Sequence, residues 1–311
     1  MKILNNKIIF PILCILVLCI GVWCGIKWRD YRNTKTVVFR ISTQRKNMGY
    51  DLQAAVNYLQ YKLEKQGYSV LPWRYPGAFY HQKGDNAGIN IFIRSNDYLY
   101  DTRMNKNATN IYYLHRFLQM YAEEMQNYDY YLSSQKSLYK ALPNYDNIGY
   151  LESGAIPHKK LTPQYQYDVL YIGEEINMQY VAFLKQNYKF AYYTNNNFGA
   201  LSQEQRENQL SKARLVVYDK KNTKSNDEDY TPYAVYDIIS YGRPLLTNQI
   251  SSLQEVVGTN IYYYQDINDM AYLTIQALAE NDNQREAKAA KAREAVITDS
   301  NYVPLNLPQK K

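Results

Sequence analysis

Residues 229–257 read DYTPYAVYDIISYGRPLLTNQISSLQEVV, and this stretch decides the fold. Asp229 is followed, after seven intervening residues, by a second acid, Asp237, which opens the helical stretch DIISYG. That helix runs into Gly242-Arg243-Pro244, where glycine permits a tight exit and proline cannot continue a helix. A short apolar strand follows (Leu245, Leu246, Thr247), then a loop over 247–252 and a helix start at Glu255-Val256-Val257. A helix, a breaker and a strand in close succession point to a parallel sheet covered by helices.

The same alternation extends to both sides. Upstream, strand patterns at Val169–Ile172, Phe190–Thr194 and Leu215–Tyr218 alternate with helical periodicity at Met178–Gln186 and Gln203–Ala213. The quoted stretch supplies a helix at Ala234–Tyr241 and a strand at Pro244–Thr247. After it come a strand at Ile261–Tyr264 and helices at Ile267–Glu280 and Gln284–Val296. The first half has the same rhythm. Its strands fall at Thr36–Ile41, Tyr68–Leu71, Ile89–Ile93, Ile111–Leu114, Tyr130–Ser133 and Ile148–Tyr150, and its helices at Tyr50–Gln66, Phe117–Asn127 and Gln135–Leu142. Between the halves, IPHKKLTPQYQ (156–166) has two prolines and no periodicity, as a linker does. The expected architecture is therefore α/β, with two Rossmann-like domains at 36–160 and 161–311 behind an N-terminal segment, 1–35. A cleft between two such domains collects ligands at the carboxyl ends of the strands.

Composition agrees. The chain has 311 residues, 46% hydrophobic and 21% charged, ample for two cores without metal or disulfide staples. Most of the formal net charge of +7 belongs to the first 35 residues, so the remainder lacks the basic face that a nucleic-acid binder needs. The 35 tyrosines travel with Asn and Lys, the signature of an AT-rich gene more than of a stacking surface. From Ile8 to Ile26 no residue is charged, and at 1.5 Å each these reach about 28 Å, enough for a single transmembrane helix. Trp23 and Trp28 fit interfacial positions, and Lys27, Arg29 and Arg32 close the span. No small-x-small cleavage site follows, which favours a retained anchor over a removed leader. The expectation is a single-pass protein of the cell inner membrane with its folded part in the cytoplasm. Cys14, Cys19 and Cys24 all lie in the apolar segment, so the folded part has no thiol nucleophile.

Several chemistries lose their usual support. No Gly-x-Gly-x-x-Gly follows a strand, and Walker, Gly-x-Ser-x-Gly and His-Glu-x-x-His motifs are missing. The three histidines, His81, His115 and His158, do not pair at metal-ligand spacing, and no metal site is expected.

The order acid, seven residues, acid, Gly-x-Pro, strand, Glu-Val-Val resembles the donor-binding domain of GT-B glycosyltransferases of the group 1 type. YDVLYIG (167–173) is similar to that family's opening strand, LSKARLVVYDK (210–220) to its helix and strand before the motif, and 264–299 to its closing helices. In the first half, NIYYLHRF (110–117) and the blocks within 128–157 resemble its strand-His, strand-Ser-helix and strand-Gly-x-x-Pro units. The similarity covers roughly 109–299, is weak over 36–108, and lies nearest a spore-maturation-type branch.

The resemblance implies a membrane-anchored glycosyltransferase of the hexosyltransferase type. It would move a sugar from a nucleotide diphosphate sugar to a glycan, lipid-linked or protein acceptor, with no separate cofactor. A carboxylate accepts two hydrogen bonds from a vicinal diol, the role the resemblance gives Asp237 toward ribose. Asp229 takes the first acid's place beside diphosphate and sugar, and His115, with a pKa suited to proton transfer, is the other catalytic candidate. Gly173, Gly242, Thr247, Ser251, Ser252 and Glu255 complete the nucleotide-sugar set. The sequence departs from the family's pattern in two ways. Both acids are Asp where Glu is usual, and the opening strand runs into Gly173-Glu174-Glu175 where a basic phosphate clamp is expected, leaving Lys220, Lys221 and Arg243 as substitutes. These residues also have ordinary readings: Asp237 as a helix acid, Asp229 in a solvated acidic loop, His115 at a cleft edge, and Asn195-Asn196-Asn197 as a turn. The alternative is a catalytically inactive GT-B-like protein acting as an anchored binding or scaffold module.

Overall fold

The computed structural model describes residues 15–27, 34–41, 48–74, 87–93, 107–115, 128–134, 147–220 and 230–299, with 305 and 307. Short runs of Val, Ile, Leu and Tyr form its strands, and because many are buried on both faces they pair in parallel under covering helices. The first lobe holds β1 (Thr36–Ile41), α1 (Tyr50–Lys65), β2 (Ser69–Arg74), β3 (Ile89–Ile93), β4 (Thr109–Leu114), β5 (Tyr130–Ser133) and β6 (Ile148–Tyr150). Its six strands are ordered β2-β1-β3-β4-β5-β6, and every pair is parallel.

The second lobe holds β7 (Tyr167–Gly173), α2 (Met178–Asn187), β8 (Phe190–Thr194), α3 (Asn195–Ala200), α4 (Gln203–Lys212), β9 (Ala213–Asp219) and α5 (Tyr233–Ser240). It continues with β10 (Leu245–Asn248), α6 (Ser251–Val257), β11 (Tyr262–Tyr264), α7 (Ile267–Ala279) and α8 (Asp282–Asp299). Its order, β11-β10-β9-β7-β8, is again all parallel. In both sheets the strand direction of travel reverses once, between β1 and β3 and between β7 and β9. Such switch points place a crevice at the carboxyl ends of those strands.

Local sequence accounts for the boundaries. Asn177 caps α2 by accepting from the Gln179 and Tyr180 amides, Ser202 and Gln205 form a capping box on α4, and Asp266 caps α7. Gly242 ends α5 at φ 72°, the left-handed conformation that glycine adopts without strain. Two elements differ from expectation. Asn195–Asn197 does not form a plain turn: Thr194 accepts from the Asn197 amide, and a short helix forms as Phe198 is buried. Helix α6 starts at Ser251 and not at Glu255, because Leu253 and Val257 both turn into the core.

Of the apolar 8–26 segment, residues 15–20 and 21–26 are helical, and Ile15, Leu16, Val17, Leu18, Ile20, Val22, Trp23 and Ile26 are exposed. Among the described residues no helix is long and apolar enough to cross a membrane, so the expected span is not confirmed. Residues 8–14 lie outside the described ones, as do the helices expected at 117–127 and 135–142.

Apolar side chains fill three clusters, one for the first lobe and one on each face of the second sheet. The lobes exchange aromatic rings. Tyr50 of α1 sits in a second-lobe cluster, edge-on to Phe198 at 4.9 Å between centroids, while Tyr230 and Tyr233 insert into the first-lobe cluster. Leu305, beyond α8, returns to the first lobe's core. The joint between lobes is packed as an interior.

Candidate active site at the lobe joint

The first turn of α1, just past the β1 end of the first sheet, is the center of the joint. Gly49 caps this helix, and a Cβ there would clash with Asn195 and Asn196 of the second lobe. The Asp51 amide donates to Asn195 Oδ1 at 3.1 Å, and Gln53 Nε2 donates to the Met48 and Gly199 carbonyls. Arg206 of α4 fastens the same corner, donating to Gln53 Oε1, Gly199 O and Leu201 O. The first lobe thus enters the second through one helical turn.

Two carboxylates bridge the lobes there, from opposite sides. Asp51, 3% exposed, accepts at Oδ1 from the Ala234 amide at the start of α5 (3.0 Å). Its Oδ2 accepts from Tyr230 Oη (2.5 Å) and lies 3.1 Å from His115 Nε2. Burial by itself pushes the Asp51 carboxyl up, but the hydrogen bonds from His115, Tyr230 and the Ala234 amide outweigh it and hold the carboxyl below its ordinary value. The helix dipole at the start of α5 acts in the same direction. Asp237, on the exposed side of α5, accepts at Oδ2 from Tyr50 Oη (2.7 Å), and its Oδ1 lies 2.9 Å from His158 Nε2. The His158 ring stacks on Tyr241 at 4.2 Å, and Arg293 donates to its carbonyl. Burial, then the Asp237 charge, raises the Tyr50 hydroxyl well above the usual tyrosine range, so it stays a donor.

Of the residues expected from sequence, the structure brings His115, Asp237 and Ser252 to this joint. His115 directly follows β4 and faces Asp51 and Tyr230, and Ser252 Oγ lies 2.7 Å from Thr231 Oγ1 at the entry to α5. Gly173 ends β7 at the second switch point, where a Cβ would come within 2.5 Å of the Glu175 carbonyl. Beside it the half-buried Asp219 accepts from Tyr171 Oη (2.8 Å) and from Tyr264 Oη, and burial raises its carboxyl. Lys220 is the substitute cation that lies at these strand ends, its ammonium donating to the Tyr230 carbonyl at 3.0 Å.

Other expected residues lie elsewhere or are already engaged. Thr247 is fully buried within the sheet and donates to the Tyr218 carbonyl, so its hydroxyl does not face the joint. Gly242 sits at the far end of α5, against Lys160 and Arg293. Ser251 and Glu255 are exposed on α6. Arg243 is buried at the opposite end of the sheet, on the Ala213 carbonyl that starts β9 and 3.0 Å from Glu286, which removes it as a phosphate partner. Arg243→Ala is therefore expected to cost about 3–5 kcal/mol of stability by stranding buried partners, with ligand binding below the unfolding temperature unchanged. Thermal denaturation alongside ligand titration checks both parts. Asp229 and Lys221 lie outside the described residues. Among the described residues no group of His, Cys, Asp or Glu side chains is placed to hold a metal ion.

No sequence motif marks Tyr50, Asp51, His158 or Tyr230. Asp51 reads as an ordinary first-turn acid, and only the topology, which puts the first strand–helix junction at a switch point, marks it.

No protein-family model matches the sequence, and no curated protein matches it. Solved structures do. Sucrose-phosphate synthase from Thermosynechococcus elongatus aligns over 85% of this chain and 94% of its own, at 12% identity and a TM-score of 0.51. An alpha-glucosyltransferase crystallised in complex with UDP aligns over 84% and 95%, at 10% identity and 0.52. TarM aligns over 68% of the chain at 15% identity and 0.46, and the match spans 52% of TarM's length, about half. With two all-parallel lobes joined at their strand ends, the chain has the fold of the GT-B glycosyltransferases.

Proposed function

We propose that the chain is a glycosyltransferase that takes a sugar from a nucleotide diphosphate donor held on the second lobe and delivers it to an acceptor held on the first. The observation that carries this reading is the place of Asp237, a carboxylate on the second lobe's α5 that faces a first-lobe hydroxyl across the joint. A group so placed suits a pentose diol at the meeting of donor and acceptor. In the reaction an acceptor hydroxyl oxygen bonds to the anomeric carbon, the bond from that carbon to the diphosphate breaks, and the diphosphate leaves with the electron pair. His115, with Asp51 behind it, is the candidate for the acceptor's proton. Positioning and stabilisation of the leaving diphosphate supply most of the rate. The apolar segment 8–26 would hold the enzyme at the inner face of the cell inner membrane, beside envelope or lipid-linked acceptors.

The test is incubation of the full-length chain with a panel of radiolabelled nucleotide diphosphate sugars and membrane extract. Release of free nucleoside diphosphate with label moved to the extract supports transfer. No release from any donor contradicts it.

A second reading, an inactive anchored binding or scaffold module, is favoured by how completely the joint is filled. Both Asp237 oxygens are engaged, and the second switch point carries Glu174 and Glu175 beside Asp219, acidic groups that disfavour diphosphate. A chain of this kind shows no nucleotide-dependent rise in melting temperature.

A further inference from the structure

Tyr50 and Asp51 are consecutive residues, and each bonds across the joint to a different part of the same helix. Tyr50 Oη donates to Asp237 Oδ2 in the body of α5, while Asp51 Oδ1 accepts from the Ala234 amide at its start. Neither bond can break by a side-chain rotation alone, because Tyr50 is wedged against Phe198 and Asp51 is held by Tyr230 and His115. Gly199 of α3 closes the same corner: its Cβ position lies 2.5 Å from Met48 O and 2.7 Å from the Tyr50 amide. The Tyr50 hydroxyl is also a chemical stand-in, since an alcohol O–H donating to a carboxylate oxygen is what a sugar hydroxyl does there.

From these contacts we infer that the first turn of α1 is a gate on Asp237, with the Tyr50 hydroxyl occupying the place of a ligand hydroxyl until the turn withdraws. The inference rests on the reading of Asp237 as the ligand's carboxylate. Withdrawal frees an oxygen of Asp237 and releases the start of α5 in one motion, because adjacent residues hold both. A ligand that reaches Asp237 therefore replaces Tyr50 bond for bond, and its affinity is reduced by the fraction of chains that are closed.

Hydrogen–deuterium exchange on the full-length chain, without any nucleotide, tests the gate separately from the donor site. Tyr50→Phe removes one hydroxyl and keeps the ring, Asp51→Asn keeps the shape, and Gly199→Ala pushes against the α1 backbone. Each is expected to speed exchange of the peptide spanning 233–237 by about tenfold or more, while β7 (Tyr167–Gly173) keeps the parent's rate. Unchanged exchange over 233–237 in all three, or a rise in β7 that keeps step with it, overturns the gate. Titration with uridine and guanosine diphosphates then separates the two claims. Opening of the gate in variants that bind neither nucleotide upholds the gate and refutes the donor site. Parent and Tyr50→Phe chains that bind with equal affinity refute the gate alone.

Discussion

Asp51→Ala lowers the unfolding free energy of the chain by about 3–5 kcal/mol, the range for removing a buried carboxylate and stranding its partners, and drops the thermal midpoint by roughly 10 °C. The carboxylate removed is the acceptor for three donors: the Ala234 amide, the Tyr230 hydroxyl and the His115 ring. Tyr230 and Ala234 are fully buried, so water cannot replace the lost acceptor without opening the joint. Asp51→Asn costs less, because the amide oxygen still accepts one of those bonds. The two variants also separate by pH. The folded state holds the Asp51 carboxyl below its ordinary value, so the stability it confers is fully present above about pH 4 and is lost as pH falls through the lower folded value. Urea midpoints followed from pH 6 to pH 2 are expected to fall more steeply for the parent than for Asp51→Asn.

Asp237→Ala is expected to abolish binding of nucleoside diphosphate. Two hydroxyls on one carboxylate are worth about 1.5–3 kcal/mol each, so their loss weakens affinity roughly 100-fold or more. The same substitution strands Tyr50 and His158, and its stability cost is read apart from affinity by titrating below the unfolding temperature. Asp237→Asn keeps one acceptor and retains part of the affinity. A nucleotide that binds parent and Asp237→Ala equally sits elsewhere than the joint.

The fold was legible in the sequence because both signals that define it are local. Apolar runs such as YDVLYIG and LVVY are strands whatever surrounds them, and the helices between them carry their own caps, as at Asn177, Ser202 and Asp266. The switch points follow from strand order, which the alternation permits but does not state. What was not legible is the joint. Tyr50 and Asp237 lie 187 residues apart, and nothing in either neighbourhood announces the other. Arg243 shows the converse: a basic residue near the motif looks available for phosphate until the sheet places it against Ala213 and Glu286, at the wrong end of the strands. Thr247 fails for a similar reason, since a strand hydroxyl next to β9 finds the Tyr218 carbonyl before it finds a ligand. His115 and Asp237 reach the joint because His115 follows the end of β4 and Asp237 lies on the side of α5 that meets the first strand–helix junction.

Asp237 as the carboxylate of a nucleotide-binding joint is most directly tested by the melting temperature of the full-length chain with uridine, guanosine, adenosine and cytidine diphosphates, each at a hundredfold excess over a micromolar dissociation constant. At that excess a bound nucleotide adds about 2.7 kcal/mol, and a rise of several degrees is expected with at least one base. A melting temperature that stays flat across all four would contradict it.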